Sequence, residues 1–400
     1  MTSDQRRIVT TLGFCGLVSA ADNWFVSPAL PAIAQALAVL PSAVAIILTA
    51  YLIPYGLLQP VCGAIGDAVG RRRLLLIIVM GLSLSTFLCA VAPNLPFLIA
   101  ARIVTGCFAA GIISVSQALV GDTVSEHERG GAVGLLMGIT FTGQGLSAGL
   151  GGIITDLIGW RAAFVAFGIM GLVAWTGLLR LKLDTCRPNA SASADAASAS
   201  PLSTATDFLV QALRTFFGRG RAVFLTACST GIIYLGVYGF MGTFLADRCG
   251  LSPTAAGLLM MFYGVACLAG GTISGRIGTA HGLPHVILVG EISGIAAIAS
   301  LALATATGSW APALAAAALL GLGYILVQPT LVSLSMDADP QRTGLCTGLV
   351  GLGVFAGGGV GSAIGQGIIG CGGYLALWMA ACIALLAQIA LSSRALKRAK

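Results

Sequence analysis

Twelve apolar runs, each about 20 residues long, divide this chain. They lie near 8–30, 42–64, 74–92, 96–121, 131–153 and 162–182, then near 222–246, 254–275, 284–306, 310–335, 343–366 and 372–393. Runs of that length match the hydrocarbon thickness of a bilayer when helical. In hydrocarbon only helices and closed barrels satisfy the backbone, and a barrel strand is about half as long. The expectation is therefore an all-α integral membrane protein with twelve transmembrane helices, numbered spans 1 to 12 in chain order. Composition excludes the soluble alternative. Only 9% of the residues are charged and 57% are hydrophobic, whereas water-facing domains carry about 25% charged residues.

Between the sixth and seventh runs lies a Ser- and Ala-rich segment, from Asp184 to about Thr206, that has nothing to bury and reads as a tether. The expected organisation is residues 1–183 as one six-helix bundle, 184–220 as a cytoplasmic linker and 221–400 as a second bundle. Charge sets the orientation. With both termini cytoplasmic, all of the 21 Lys and Arg except Arg102, Arg161 and Arg248 fall on the cytoplasmic side. The net charge of +7 then reflects membrane topology, and no nucleic-acid partner is expected. The 11 cysteines show no metal-ligand spacing, and the three histidines and few acids assemble no catalytic constellation. Neither an enzyme, a cofactor nor a metal site is expected.

The halves repeat each other. Gly63-x-Ile65 and Gly70 recur as Gly271-x-Ile273 and Gly278, and Arg129 recurs as Arg342. Both copies start from the same side, so they are parallel repeats about an axis along the membrane normal.

The turn between spans 2 and 3 is Gly63-Ala64-Ile65-Gly66-Asp67-Ala68-Val69-Gly70-Arg71-Arg72-Arg73. Its glycines suit close approach of helix ends, and Asp67 with Arg71 and Arg72 suits charge-assisted bonding to them. This stretch resembles the loop 2–3 signature of the major facilitator superfamily, with every fixed position filled. Span 4 carries Arg102-Ile103-Val104-Thr105-Gly106, similar to another signature of that family. Glu128-Arg129-Gly130 follows it, and Gly159-Trp160-Arg161 opens span 6 much as in the drug:proton antiporter branch. Span 5 departs from that branch. It keeps the glycines at 143, 145, 149, 151 and 152 but lacks the usual proline. The resemblance implies two six-helix bundles of the major facilitator fold with a substrate site between them. It also implies alternating access, with Gly63, Asp67, Gly70, Arg71 and Arg72 acting in gating.

Ionisable residues inside a membrane are costly and are usually kept for function. Three stand within spans: Asp22, Arg102 and Glu291. Counting at 1.5 Å per residue puts Asp22 and Arg102 both roughly 21 Å from the cytoplasmic edge, in spans that line the central cavity of this family. Facing each other they can neutralise, and the expectation is that they carry proton coupling. Glu291 in span 9 is a second candidate acid. Asn23, Trp24, Tyr51, Tyr55, Gln117, Tyr234, Tyr238, Tyr324 and Gln328 are the candidate substrate-binding residues, with Gln59 and Tyr263 beside them. Tyr51 with Tyr55 and Tyr234 with Tyr238 are each four apart and share a helix face.

The expected function is proton-coupled efflux of small organic or drug-like compounds from the bacterial inner membrane, by a monomer whose partners are substrate, protons and lipid. The alternative is a proton-coupled symporter importing a polar metabolite such as a sugar or organic acid.

Overall fold

In a computed structural model, the structure describes residues 1–181, 210–218, 220–336, 338–339 and 343–397. A few helical side chains, those of Asp67, Asp122, Arg129, Arg276 and Arg394 among them, lie outside the described set. So do Arg342 and the tether from 184 to 206. The described remainder of the linker is helical over 210–217 and docks on the start of span 7, where Phe216 stacks on Phe224 with ring centroids 5.5 Å apart.

The described chain is helical and crosses twelve times. Spans 2 to 6 are Ile46–Val69, Arg71–Ala90, Leu95–Thr123, Glu126–Leu157 and Trp160–Leu179, with a break in span 4 at Ala110-Gly111. Spans 8 to 10 are Pro253–His281, Leu283–Thr307 and Ala311–Met336. Spans 11 and 12 form one run, Thr343–Lys397, that turns back at Gly373. Its φ of 70° there is open to glycine and strained for other residues. Because the crossings are even in number, both termini and the linker share one face, called here the termini face. The opposite face is the distal face. Large apolar side chains such as Leu84, Ile169, Val173, Ile383 and Leu386 point outward. In water they would form an aggregating surface; lipid covers them.

Two spans are less regular than the sequence suggests. Span 1 is not a single run to residue 30. It is Ser3–Trp24, then Val26–Ala36 after a break at Phe25. Pro28 lacks the N–H that would reach the Trp24 carbonyl, and Pro31 lacks the one for Ser27. Span 7 is α-helical over Arg221–Thr230, π-helical over Gly231–Leu235 and α-helical again over Gly236–Cys249. Single π turns inside helices tend to mark functional positions. The two breaks occupy matching places in the two halves.

Glycine brings the halves together. In span 5, Gly145 faces Gly264 of span 8, and a Cβ on Gly152 would overlap the Pro253 carbonyl. A Cβ on Gly257 would likewise overlap the Ala148 carbonyl. The span 5 glycines therefore set the distance between spans 5 and 8 without the proline of the antiporter pattern. On the same side Ser27 donates to the Gly239 carbonyl at 2.8 Å and accepts from the Gly242 N–H at 3.3 Å. Gly257→Val should push the distal ends of spans 5 and 8 apart. Overpacking costs about 1–3 kcal/mol, which corresponds to a roughly 5–150-fold shift toward a distally open state. Labelling of Ser147→Cys by a membrane-impermeant thiol reagent, with Cys249 and Cys371 changed to Ser, measures it. An unchanged labelling rate would remove span 5 from the gate.

Candidate functional site

Asp22 and Arg102 meet in the interior of the first half. An Arg102 guanidinium nitrogen lies 2.7 Å from Asp22 Oδ2, and both side chains are buried. The same nitrogen donates to the Asp22 carbonyl at 3.2 Å, and the other terminal nitrogen donates to Asn23 Oδ1 at 3.3 Å. Thr86 of span 3 donates to Asp22 Oδ1 at 2.7 Å. The guanidinium carbon stands 4.3 Å from the Tyr51 ring centroid and 5.9 Å from that of Phe164. A buried ion pair persists only when its remaining lone pairs and protons are also met. Here the carboxylate has the hydroxyl of Thr86, and the guanidinium has an amide, a carbonyl and an aromatic face.

The ion pair does not open directly onto the centre of the molecule. Asn23 and Tyr51 stand between. They line a small cavity between the halves together with Ser19, Trp24, Tyr55, Gln144 and Phe355. Asn23 is two-sided: its Oδ1 faces Arg102, while its Nδ2 is buried without a partner. Gln144 Oε1, Tyr263 Oη and Tyr324 Oη are also buried and unpartnered. Such groups are costly in a low-dielectric interior unless something comes to meet them. The cavity holds about one water molecule. An organic molecule would require the side chains or the halves to move.

Around it runs an aromatic cluster drawn from both halves. Trp24 meets Tyr238 at 4.9 Å between centroids, and Tyr238 meets Tyr263 at 4.2 Å. Tyr263 meets Tyr324 at 6.1 Å, Phe141 meets Tyr324 at 5.8 Å, and Tyr55 meets Phe355 at 4.5 Å. Tyr51 and Tyr55 stack at 5.6 Å, as their spacing implies. Tyr234 and Tyr238 are anchored through their hydroxyls, to the carbonyls of Gly290 and Met260.

Gln117 sits apart from this centre. Its amide reaches Met137 Sδ at 3.0 Å, because it falls in span 4 beyond the break, toward the termini face. Gln328 is buried with Oε1 unpartnered but does not line the cavity. Thr86, Gln144, Phe141 and Phe355 were not singled out from sequence. A lone Thr or Gln in an apolar run gives no periodic signal, and its role depends on which helix comes to face it.

The loop 2–3 arginines bond to helix carbonyls within their own half. Arg71 donates to the Ala118 carbonyl of span 4 at 3.0 Å, and Arg72 to Leu179, the last residue of span 6, at 3.1 Å. A cation at a helix C-terminus is favoured by the dipole. The side chain of Asp67 lies outside the described residues. The close approach read for the glycines is not made at Gly63, where nothing lies within 4 Å of a built Cβ. Gly70 is needed for its backbone instead, with φ 95° and ψ 122° at the turn. Gly159-Trp160-Arg161 acts locally. Arg161 donates to the Ala92 carbonyl at 2.8 Å and lies over Trp160 at 4.2 Å, tying span 6 to the end of span 3.

Comparison with known proteins agrees with this architecture. The family model described as Major Facilitator Superfamily matches residues 12–362. An uncharacterized MFS-type transporter of Bacillus subtilis, YdgK, is 30% identical over 81% of this chain and 80% of its own length. The multidrug resistance protein fnx1 of Schizosaccharomyces pombe is 34% identical, over 46% of this chain and 35% of its own length. The crystal structure of the human organic anion transporter MFSD10 superposes with a TM-score of 0.70 at 18% identity, covering 98% of this chain and all of that one. That likeness concerns the fold. The chain belongs to the major facilitator superfamily and is a multi-pass membrane transporter.

Proposed function

We propose that this transporter exports small, uncharged or amphipathic organic molecules in exchange for protons. The observation that carries the reading is the Asp22–Arg102 pair, one residue removed from an unpartnered amide that lines the central cavity. The aromatic cluster offers flat apolar faces, and Asn23, Gln144, Tyr263 and Tyr324 offer hydrogen-bonding groups. With the ion pair intact, the cavity lining carries no charged side chain. Such a lining suits amphipathic compounds better than strongly charged ones.

The coupling would run through Asn23. A proton arriving on Asp22 Oδ2 removes the charge that holds Arg102. The guanidinium then keeps its bonds to the Asp22 carbonyl and Asn23 Oδ1, and the Asn23 amide facing the cavity shifts with it. Substrate at Asn23 and proton at Asp22 thereby disfavour each other, which suffices for exchange. Asp67, Arg71 and Arg72 would hold the termini-face ends of spans 2 to 4 and 6 in one of the alternating states. The excess of Lys and Arg on the termini face supports a cytoplasmic placement of that face, and the reading puts the protein in a bacterial inner membrane. The bundles would be residues 1–183 and 221–400. Relatives named as a puromycin resistance protein of Streptomyces alboniger and a citrate exporter of Aspergillus niger match less than half of this chain, at 30% and 28% identity. One is named for export and the other for drug resistance, which supports the outward direction.

One observation favours a second reading. Arg102 has no acid other than Asp22 beside it among the described residues, and its Nε is unpartnered. Protonating Asp22 would therefore offer a buried cation to an organic anion, giving proton-coupled symport. Inverted vesicles enclosing a pH-sensitive dye decide between them. Amphipathic cations or neutral aromatics that collapse an imposed acid-inside gradient support exchange. Organic anions that do so from the opposite gradient support symport. No response to any compound of either panel would overturn proton coupling.

A further inference from the structure

Among the described residues Glu291 is the other acid buried in the helical core, and the exchange reading leaves it unused. It lies two turns into span 9 and is fully shielded from solvent. Its shell is made of uncharged groups. Gln388 Nε2 donates to Oε1 at 3.0 Å, and Ser392 Oγ lies 3.1 Å from both carboxyl oxygens. Gln388 Nε2 also donates to Thr230 Oγ1 at 3.2 Å, and Thr230 in turn donates to the Thr226 carbonyl at 2.7 Å. Glu291 makes no ion pair among the described residues. Asp22, by contrast, has Arg102 at 2.7 Å.

We propose that Glu291 is a second proton-binding site, enclosed by spans 7, 9 and 12, and that it carries its proton in this conformation. The hydrogen-bond count supports the neutral acid. With the proton on Oε2, the O–H donates to Ser392 Oγ, and Ser392 donates to the Ile389 carbonyl 3.3 Å away. Oε1 accepts from Gln388. Both carboxyl oxygens and the serine are then satisfied with no charge buried. As a carboxylate the same group would leave an unbalanced charge in an apolar interior, which is far costlier. The heavy atoms need not move for the proton to leave. Ser392 would turn its O–H from Ile389 toward the carboxylate, so the shell can receive either state.

The repeat supplies a second argument. Gly63 of the first half recurs as Gly271, an offset of 208 residues. At that offset Asp22 corresponds to Thr230. In the first half an acid in span 1 bonds a threonine in span 3. In the second half a threonine in span 7 is joined through Gln388 to an acid in span 9. Acid and hydroxyl have exchanged helices, so among the described residues each half holds one buried carboxyl beside its first span. Among the described residues, only the first-half acid has an arginine beside it.

The site is connected to the centre. Thr230 directly precedes the π-helical Gly231–Leu235. Tyr234 within that segment donates to the Gly290 carbonyl at 2.8 Å, one residue from Glu291, and its ring is 6.5 Å from that of Tyr324. Movement of span 7 during alternating access would pull on Thr230 and Gln388 and open the shell that keeps the acid neutral.

Among the described residues, few other titratable groups stand on the spans that pack around Glu291. Span 9 contributes His285 near its start, and span 8 contributes His281, whose ring is 5.8 Å from that of His285. Both histidines lie toward the termini face. Span 7 contributes Tyr234 and Cys228, span 10 Tyr324, and span 12 Cys382; the side chains of Arg276 and Arg394 lie outside the described residues.

Infrared difference spectra of the purified full-length protein in lipid, stepped from acid to alkaline pH, test the assignment. The wild type should lose a protonated-carboxyl stretch that shifts in deuterated water. Glu291→Gln, whose amide can make the same bonds to Gln388 and Ser392, should lack that band and release one proton fewer over the step. Asp22→Asn should keep it, which separates this site from the exchange reading. Ser392→Ala keeps the acid and removes one hydrogen bond, so the band should move to higher frequency. An identical band in wild type and Glu291→Gln would overturn the proposal. Should that variant fail to fold, a band unmoved in Ser392→Ala would do the same.

Discussion

Arg102→Ala is expected to lose about 3–5 kcal/mol of stability, together with all transport driven by a pH gradient. That magnitude is typical when one partner of a buried ion pair is removed and the other is left uncompensated. Asp22 would then stand at the same depth with only Thr86 as a bonding partner, and Asn23 would lose its hold on the guanidinium. Two comparisons isolate the charge from the volume. Asp22→Asn combined with Arg102→Met removes both charges and should recover most of the stability, because no unpaired charge remains. Lowering the pH should also raise the melting temperature of Arg102→Ala, since protonating Asp22 removes the uncompensated charge. Equal melting temperatures for wild type and Arg102→Ala at neutral pH would show that the pair is not the electrostatic centre of the first half.

Asp22→Asn leaves the Arg102 charge unpaired and is expected to cost stability as well, softened by the amide's remaining bonds; the folded fraction should bind neutral compounds yet show no uphill transport from a pH gradient. With its oxygen toward Arg102 the amide still accepts from the guanidinium, and its NH2 can donate to Thr86 once that hydroxyl turns its proton to the Leu82 carbonyl 2.8 Å away, so the contacts of spans 1, 3 and 4 can be kept. What is lost is the group that exchanges a proton. Facilitated flux down a substrate gradient should persist and should lose its pH dependence. Counterflow in proteoliposomes, with and without an imposed pH gradient, separates the two. Uphill transport by this variant would move the coupling role to another acid, and among the described residues Glu291 is the other one buried in the core.

Much of the site was legible because depth in a membrane can be counted. Asp22 and Arg102 lie on spans of opposite direction, and a fixed rise per residue brings them to one level. The requirement that a buried charge be paired then brings them together. The tyrosine pair at 51 and 55 followed from helical spacing in the same way. Gln117 shows where counting stops. It lies on the same span as Arg102, yet the helix breaks at Ala110-Gly111 and its side chain turns to Met137. Gly63 shows the limit for glycine. Its motif suggested close packing, but what the turn demands is the positive φ of Gly70.

The sequence by itself determined the number of crossings, the parallel repeat and the face on which basic residues gather. Each of these follows from how far apolar residues run and where charge is tolerated. Tertiary structure alone decided which polar atoms are left unpartnered. Asn23 is divided between Arg102 and the cavity because spans 1 and 4 cross where they do. Among the described residues Glu291 meets no cation, and its partners are Gln388 and Ser392 of span 12, about 100 residues away. Helix propensity and hydropathy are properties of segments, whereas hydrogen-bond satisfaction is a property of the atoms that packing brings within 3 Å of one another.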